Sequence, residues 1–270
     1  MAYQSIIFEK EAGIATLTLN RPETLNAWNF VMAEETETVL EEVRRDNDIR
    51  VLIITGAGKG FSPGLDLTIL GGGSIEAMRF DDGLVGQKMR GRASVVTAAL
   101  SIYNLPKPVI AAVNGVASGG GLSVALACDV RIASDRARFS QVFIKRGLIP
   151  DSGSTYFLPR LVGMAKACEL TFTGDIIDAA EAERIGLVSR VVHQDDLMPT
   201  VRKLAEKIAS GPPITIQLAK MALRRGSVAT GIEDQVDFEN LIQQMCIATE
   251  DFKEGVQSFL DKREPRFKGS

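Results

Sequence analysis

The sequence is poor in the side chains from which most metal sites and nucleophile sites are built. It contains one histidine, His193, and three cysteines, Cys128, Cys168 and Cys246, among 270 residues. The cysteines are odd in number and far apart, so they match neither metal-ligand spacing nor a disulfide framework. We expect free thiols in a reducing compartment and no metal ion in the functional site.

Signals for a membrane or a nucleic acid are also absent from the sequence. No apolar run is long enough to cross a bilayer, and no N-terminal stretch pairs basic residues with an apolar segment as a signal peptide does. With 31 Lys and Arg against 34 Asp and Glu, the net charge of -3 gives no basic excess that would attract polyanions. We expect a cytoplasmic protein with neither a nucleic-acid nor a membrane partner.

What the sequence does contain is a series of short apolar runs, each followed by a glycine or polar turn. Such runs at residues 51–55, 109–113, 130–133 and 188–192 are typical of buried strands. Their recurrence between helical patterns predicts an α/β fold, either a stacked spiral of ββα turns or a doubly wound sheet. The sequence has neither a Gly-x-Gly-x-x-Gly after its first strand nor a P-loop, which weighs against a dinucleotide or nucleotide fold.

The pattern divides the chain into two parts. Strand signals end near Leu197, so we predict a core over residues 1–198 and an all-helical region over residues 199–270. Further strands are predicted at 6–9, 14–20 and 137–140, and helices at 30–45, the second half of 74–102, 152–161, 166–171, 179–185, 202–208, 214–225, 231–247 and 251–262.

Two glycine-rich turns follow two of the predicted buried strands. The first lies within residues 56–73, and the second, residues 114–123, contains three successive glycines before a predicted helix. Glycines leave bare backbone N–H groups at the positive end of a helix dipole, where an anion or an oxyanion binds. If the strands are neighbours, the N–H groups of Leu65 and Gly120 converge on one oxygen as an oxyanion hole. Two tight turns without a catalytic role are the alternative at this point.

Several longer motifs occur in order along nearly the whole chain. They are Arg21-Pro22 with Leu25-Asn26-Ala27, residues 55–67, residues 114–129, Gly147-Leu148-Ile149-Pro150-Asp151, Leu158-Pro159-Arg160, Gly186-Leu187-Val188 and Phe252-Lys253-Glu254-Gly255. Together they resemble the crotonase, or enoyl-CoA hydratase/isomerase, family. The resemblance implies a ββα superhelix with a helical C-terminal region that assembles a trimer or a dimer of trimers. It also implies an acyl-CoA substrate whose thioester enolate is stabilised, so that coenzyme A is part of the substrate and no separate cofactor is expected.

The resemblance also assigns roles to particular residues. It implies that Leu65 and Gly120 supply the amides of the oxyanion hole. For Lys59 and Lys262 a solvated surface charge is the alternative to a contact with coenzyme A, and for Asp66 the alternative is a structural role in its loop. The residues that the resemblance implies in binding coenzyme A are Asn26, Ala27, Lys59, Gly64, Asp66, Leu67 and Lys262.

The sequence departs from the hydratases of this family at two positions. Hydratases use two glutamates to hold and activate water, and the resemblance places Ser123 and Phe143 at those positions. A serine hydroxyl is no general base near neutral pH and phenylalanine does not titrate, so the usual hydration machinery is absent. We expect both residues to line the acyl pocket. A hydrolase pair of Ser123 with His193 is disfavoured, because Ser123 lacks a Gly-x-Ser-x-Gly context.

One carboxylate, Asp151, stands where isomerases of the family carry a catalytic aspartate. In Ile149-Pro150-Asp151-Ser152-Gly153 it is a helix cap, an acid/base, or both. A single carboxylate suits the shift of a 3,4 double bond into conjugation, because one group removes a proton at C2 and delivers one at C4. We predict an isomerase of 3-enoyl-CoA or of a ring-derived acyl-CoA. An atypical enoyl-CoA hydratase and a catalytically decayed acyl-CoA-binding protein are the alternatives.

The segment expected to cover the acyl chain lies between the two glycine turns. Gly71-Gly72-Gly73 predicts a hinge at its start. Glu76, Asp81 and Asp82 within it are candidate auxiliary acids.

Overall fold

The computed structural model of the protein describes residues 3–70 and 94–270. The predicted hinge at Gly71-Gly72-Gly73 and the candidate acids Glu76, Asp81 and Asp82 lie outside these residues. The strands are β1 (Ile6–Glu11), β2 (Ile14–Leu19), β3 (Val51–Gly56), β4 (Gly60–Ser62), β5 (Val109–Val113), β6 (Val116–Ser118), β7 (Val130–Ser134), β8 (Arg138–Ser140), β9 (Ile176–Asp178) and β10 (Arg190–Val192). The helices are α1 (Phe30–Arg45), α2 (Val95–Asn104), α3 (Gly120–Ala127), α4 (Ser154–Val162), α5 (Met164–Thr173), α6 (Ala179–Arg184), α7 (Leu197–Ala209), α8 (Pro213–Gly226), α9 (Ile232–Ile247) and α10 (Glu250–Leu260).

The strands form two sheets with the same progressive order. In the described part of the chain, the larger sheet runs β1-β2-β3-β5-β7-β10, with an antiparallel β1–β2 hairpin and parallel neighbours thereafter. Strand number only increases across this sheet, whereas a doubly wound sheet reverses its order at a switch point. The smaller sheet, β4-β6-β8-β9, takes the second strand of successive turns. The predicted ββα superhelix is therefore confirmed, and the doubly wound alternative is wrong.

The predictions missed part of the smaller sheet. Its strands β4, β6 and β9 have three residues each, too few for an apolar run or an alternation to stand out. The segment 56–73, expected as one long loop, holds β4 and a 3-10 helix at Leu67–Leu70. This short sheet matters for function because β4 and β6 each lead directly into a glycine turn.

The larger sheet is buried on both faces. One face packs against α1, α2 and α3, and the other packs against α7. In α7 the apolar side chains of Leu197, Val201 and Ala205 recur every four residues and pack against Ile53 and Ile110. The predicted boundary after residue 198 thus falls inside a helix that belongs to the core, because the sheet covers its apolar stripe. The all-helical character of the chain beyond β10 agrees with the prediction.

A partly buried ion-pair cluster joins α8 to the core. Lys220 Nζ lies 2.6 Å and Arg224 Nη2 lies 2.7 Å from the two carboxylate oxygens of Asp129. Lys220 also donates to the carbonyl of Lys107 at 2.7 Å, and burial lowers the pKa of its ammonium to about 8. Asp129 follows the C-terminus of α3, so α8 is anchored at the end of α3 opposite the triple glycine.

Asn26 holds the first glycine turn in place. Its side chain is fully buried, and its Oδ1 accepts from the Arg21 N–H at 2.9 Å. Its Nδ2 donates to the carbonyls of Ala57 at 2.9 Å and Gly60 at 2.8 Å. Asn26 also adopts φ 68°, a left-handed conformation that asparagine tolerates better than most residues. One amide therefore connects the Arg21 turn with both ends of the β3–β4 connection.

We expect Asn26→Ala to lower the free energy of unfolding by about 3 kcal/mol, because it leaves a buried carbonyl and two partly buried main-chain groups without this partner. Chemical denaturation measures this loss. Asn47→Ala, a change of the same type at an exposed position, is the matched control and should leave stability within about 0.5 kcal/mol. An equal stability of the two variants would show that Asn26 does not organise the turn.

Candidate active site

The two glycine-rich turns meet at the edge of the smaller sheet. A Cβ placed on Gly64 would lie 2.9 Å from the backbone nitrogen of Gly120 and 3.5 Å from that of Gly121. A Cβ on Gly121 would in turn collide with the carbonyl of Ser62. The backbones approach each other so closely that only glycine fits at this contact.

The N–H of Leu65 is directed away from its local partner strand. Leu65 forms a parallel bridge with Trp28, in which the Trp28 N–H donates to the Gly64 carbonyl at 2.8 Å and the Asp66 N–H donates to the Trp28 carbonyl at 2.9 Å. In a parallel bridge these flanking residues carry the hydrogen bonds, so the central residue points its own N–H to the other side. The Leu65 amide is thus presented on the side of the turn that faces away from Trp28.

The N–H of Gly120 is left without an intrahelical partner because of its position in α3. Gly120 is the first residue of α3, and N–H groups in the first turn have no carbonyl one turn earlier to bond. The first such bond in α3 runs from the Ser123 N–H to the Gly119 carbonyl at 3.0 Å. Gly119 itself has φ 51° and ψ -127°, a conformation open to glycine, which turns the chain sharply into the helix. The bare amide and the positive end of the helix dipole therefore coincide beside Gly64.

The main chain of Asp151 contacts the first turn of α3. The Ser123 hydroxyl is 3.2 Å from the Asp151 carbonyl, and Ser123 belongs to the same first turn of α3 as Gly120. The Asp151 side chain is exposed, and its Oδ1 accepts from the Ser152 hydroxyl at 2.8 Å. The main chain of Asp151 is therefore bonded to the helical turn that begins at Gly120, while its carboxylate is exposed.

The interpretation of Asp151 as a helix cap is wrong. Helix α4 begins at Ser154, not near Ser152, and its N-cap is Gly153, which makes no side-chain capping bond. Ser152 and Gly153 have φ 53° and 81°, so the chain makes a left-handed turn between Asp151 and the helix. Only the main-chain carbonyl of Asp151 reaches the helix, where it accepts from the Ser154 N–H at 2.9 Å.

The two positions of the absent glutamates are both near the triple glycine. Phe143 is buried in the 3-10 helix at Val142–Arg146, and its ring lies 3.8 Å from where a Gly119 Cβ would be. Ser123 is fully buried beneath the Asp151 turn. Their contribution to an acyl pocket stays a prediction.

The residues predicted to bind coenzyme A include both buried and exposed side chains. Asn26 and Ala27 are buried, and the Ala27 carbonyl already accepts from Arg21 Nη1 at 2.7 Å. Lys59 and Lys262 are exposed, the latter just beyond α10 with φ 53°. Gly64 and Leu67 complete the first turn, where Leu67 is exposed. Their roles toward coenzyme A stay predictions.

Asp66 is bound within its own loop. Its carboxylate accepts from the Thr68 hydroxyl at 2.6 Å and forms an ion pair with Arg21 at 2.9 Å. Hydrogen bonding to Thr68, followed by Arg21, holds the pKa of this largely buried carboxyl below its ordinary value of 3.8. Asp66 is therefore bonded within its own loop, and its contact with coenzyme A stays a prediction.

A pH dependence follows from the lowered pKa of Asp66. Its stabilisation is complete while both folded and unfolded states are ionised, and it is lost as the pH falls below 3.8 toward the folded pKa, because the unfolded state is protonated first. We expect Asp66→Asn to be less stable than the wild type at pH 6, with the difference shrinking below pH 3.8. Urea unfolding of both proteins at pH 6 and below pH 3.8 measures the difference in their free energies of unfolding. A difference that grows on acidification would contradict the lowered pKa of Asp66.

The hydrolase alternative finds no support in the geometry. His193 lies in an exposed turn, where its Nδ1 accepts from the Asp195 N–H at 3.4 Å. Ser123, by contrast, is fully buried and bonded within the α3–α4 contact. Across residues 3–70 and 94–270 there is no group of acidic, histidine or cysteine side chains able to hold a metal ion, and no helix long and apolar enough to span a membrane.

Sequence reasoning missed three participants in the site. Gln141, Ser152 and Ser154 make hydrogen bonds around Ser123 and Asp151. The clustered hydroxyls of Asp151-Ser152-Gly153-Ser154 were the available signal, but no spacing rule connects them to Ser123, about 30 residues earlier.

Comparison with known proteins agrees with this fold. Residues 9–270 match the family described as Enoyl-CoA hydratase/isomerase, and the chain belongs to this family. It is 41% identical over 265 residues to a short-chain-enoyl-CoA hydratase of Clostridium acetobutylicum, with 97% of each chain covered. It is 39% identical over 274 residues to a 1,2-epoxyphenylacetyl-CoA isomerase of Escherichia coli, with 98% of each covered. A crystal structure of an enoyl-CoA hydratase from Bacillus anthracis superposes with a TM-score of 0.90 at 35% identity, covering 99% of this chain and 100% of the other.

Proposed function

We propose that the protein is an acyl-CoA isomerase that moves a C=C bond of an enoyl thioester, using Asp151 as its acid/base. The supporting observation is that the Asp151 turn is bonded to the first turn of α3, which carries the Gly120 amide. Ser123 and Phe143 stand at the family's two water-activating positions. Membership of the hydratase/isomerase family sets the coarse class of reaction, and the residues at these positions support the isomerase within it.

The amides of Leu65 and Gly120 bind the thioester oxygen in this proposal. Removing a proton at C2 places negative charge on that oxygen, and two fixed N–H donors at a helix N-terminus stabilise it more than they stabilise the neutral carbonyl. Each such donor is worth about 3 kcal/mol of transition-state stabilisation. The C2 proton thereby becomes acidic enough for a carboxylate to remove.

Asp151 carries the proton between the two carbons. Its carboxylate takes the proton from C2 of a 3-enoyl thioester, and the electron pair of the C–H bond forms the dienolate. The same carboxyl then returns the proton to C4 as the double bond moves to C2=C3. The exchange consumes no water, so it needs neither of the glutamates that hydration requires.

The coenzyme A moiety is proposed to lie along the first glycine turn. The exposed ammonium groups of Lys59 and Lys262 supply positive charge for its phosphates, and the backbone from Gly64 to Leu67 offers an edge for the adenine. The protein is proposed to act in the cytoplasm as a trimer or a dimer of trimers, with the chain beyond α7 providing the contacts between subunits.

Steady-state assays separate this proposal from its alternatives. We expect conversion of 3-enoyl-CoA to 2-enoyl-CoA at a kcat at least about 100-fold above that for adding water to 2-enoyl-CoA, a margin typical of one general acid/base catalyst. Hydration at the higher rate would identify an atypical hydratase, as the name of the 41% identical Clostridium acetobutylicum relative would favour. Tight binding of both compounds without turnover would identify a decayed enzyme.

A further inference from the structure

Three polar side chains are buried together between α3, β8 and the start of α4. Ser123 is 0% exposed, and Gln141 and Ser154 are 1% exposed. Burying a polar group is unfavourable unless it is hydrogen-bonded, and each of these side chains makes at least one hydrogen bond, although Gln141 Oε1 has no partner among the residues that the structure describes. Their contacts lead step by step to the Asp151 turn.

The chemistry of the donors gives the chain of hydrogen bonds a direction. Gln141 Nε2 can only donate, and it lies 3.2 Å from Ser154 Oγ. Ser154 can then give its own proton to Ser123 Oγ, 2.9 Å away. Ser123 in turn has its proton free for the Asp151 carbonyl or the Gly119 carbonyl, each at 3.2 Å.

The Asp151 turn receives bonds on both its main chain and its side chain. Its carbonyl accepts from the Ser154 N–H at 2.9 Å and from Ser123, while the Ser152 hydroxyl orients the carboxylate at 2.8 Å. Ser152 has φ 53°, a conformation that persists only where its surroundings enforce it. The exposed carboxylate is therefore held by contacts that lie beneath it.

We infer that Ser123 is a positioning residue, which fixes Asp151 relative to the Gly120 amide through the hydroxyl chain Gln141–Ser154–Ser123. This inference rests on the proposed function, since Asp151 must be the acid/base for its placement to matter. Ser123 lies in the first turn of α3, and its hydroxyl is 3.2 Å from both the Gly119 carbonyl, which precedes the oxyanion-hole amide, and the Asp151 carbonyl, so its one proton is shared between them or given to either. A single side chain thus ties together the two halves of the site.

The test compares Ser123→Ala with Ser123→Thr, Ser154→Ala and a control. Ser134→Ala is the matched control, because Ser134 is also 0% exposed and donates to a main-chain carbonyl, that of Asn114 at 3.3 Å, rather than to the Asp151 turn. The measurements are kcat and KM with a 3-enoyl-CoA, and the rate at which the C2 proton exchanges into D2O. Both are normalised to folded protein.

We expect Ser123→Ala to lower kcat and C2 exchange by about 10-fold or more while KM changes by less than about twofold, since a small misplacement of a base slows chemistry without weakening binding. Ser123→Thr should restore most of the rate, and Ser154→Ala should cost less than Ser123→Ala. If Ser123→Ala does not fold, a Ser154→Ala variant with wild-type kcat still overturns the inference.

Full kcat in Ser123→Ala, or a loss confined to KM, would overturn the inference. So would an equal loss in Ser134→Ala. These failures differ from failure of the proposed function: if Asp151→Asn is inactive and Ser123→Ala is fully active, only the positioning role is wrong. If Asp151→Asn is fully active, the proposed function is wrong.

Discussion

Asp151→Asn is expected to lower kcat for 3-enoyl-CoA isomerisation by about 100- to 10,000-fold, the range that one general acid/base group contributes. Asparagine keeps an oxygen that can accept from Ser152, but it cannot take up the C2 proton. The side chain is exposed and caps no helix, so the fold should be unaffected. The affinity for acyl-CoA, measured by calorimetry with a non-reactive thioester, should stay within about twofold, because the amide replaces the carboxylate without filling the pocket.

The control for Asp151→Asn is Asp195→Asn, the same change in a side chain that is 85% exposed and lies in the His193 turn. It should leave kcat unchanged. Retention of wild-type activity by Asp151→Asn would remove the acid/base from the proposed mechanism. Loss of activity together with loss of binding would instead assign Asp151 to substrate binding.

Gly64→Ala is expected to remove one donor of the oxyanion hole by obstruction. The new methyl group would stand 2.9 Å from the Gly120 nitrogen, where the proposed mechanism places the thioester oxygen or its approach. Losing such a donor costs about 3 kcal/mol, or a 100- to 1,000-fold fall in kcat. Steady-state kinetics with a 3-enoyl-CoA measures the fall in kcat. We expect the rate of C2 proton exchange in D2O to fall by a similar factor.

Backbone strain must be separated from this obstruction. Gly64 has φ 96°, and its Cβ would also press on the Gly120 nitrogen and the Ser118 carbonyl, so alanine there costs at least about 1–2 kcal/mol of folding stability. Gly13→Ala is the matched control, because Gly13 has φ 79° in the distant β1–β2 hairpin, where a Cβ meets nothing closer than 3.4 Å. Gly13→Ala should lose stability and keep kcat. If both variants keep kcat, the Gly120 amide is not an oxyanion donor.

Much of this arrangement could be predicted from sequence, because it is local. The strands β3, β5 and β7 are continuous apolar runs, and each of the first two is followed within ten residues by a glycine turn. Such runs indicate buried parallel strands whatever surrounds them. The convergence of the Leu65 and Gly120 turns follows if β3 and β5 are neighbours, and in the structure β3 pairs directly with β5.

The parts that could not be predicted depend on contacts between distant residues. The three-residue strands β4, β6 and β9 are too short to form without the partners that neighbouring turns of the spiral supply. The start of α4 moved to Ser154 because two successive left-handed residues delay the helix. The bond from Ser123 to Asp151 spans 28 residues and follows no periodicity.

The structure gives Ser123 a contact that the absence of a glutamate at this position did not indicate. The hydroxyl of this serine bonds the turn that carries the remaining carboxylate. In the proposed enzyme, the site that would otherwise activate water instead supports the group that moves a proton.

The most direct test of the central claim is to follow the isomerisation in H2(18)O and, separately, in D2O by mass spectrometry of the product. A single-carboxylate isomerase gives 2-enoyl-CoA with no 18O and with part of the C2 proton retained at C4, because Asp151 returns the proton it removed. A product that carries 18O at C3, as a 3-hydroxyacyl-CoA formed at the rate of turnover, would contradict the proposal and place the protein among the hydratases.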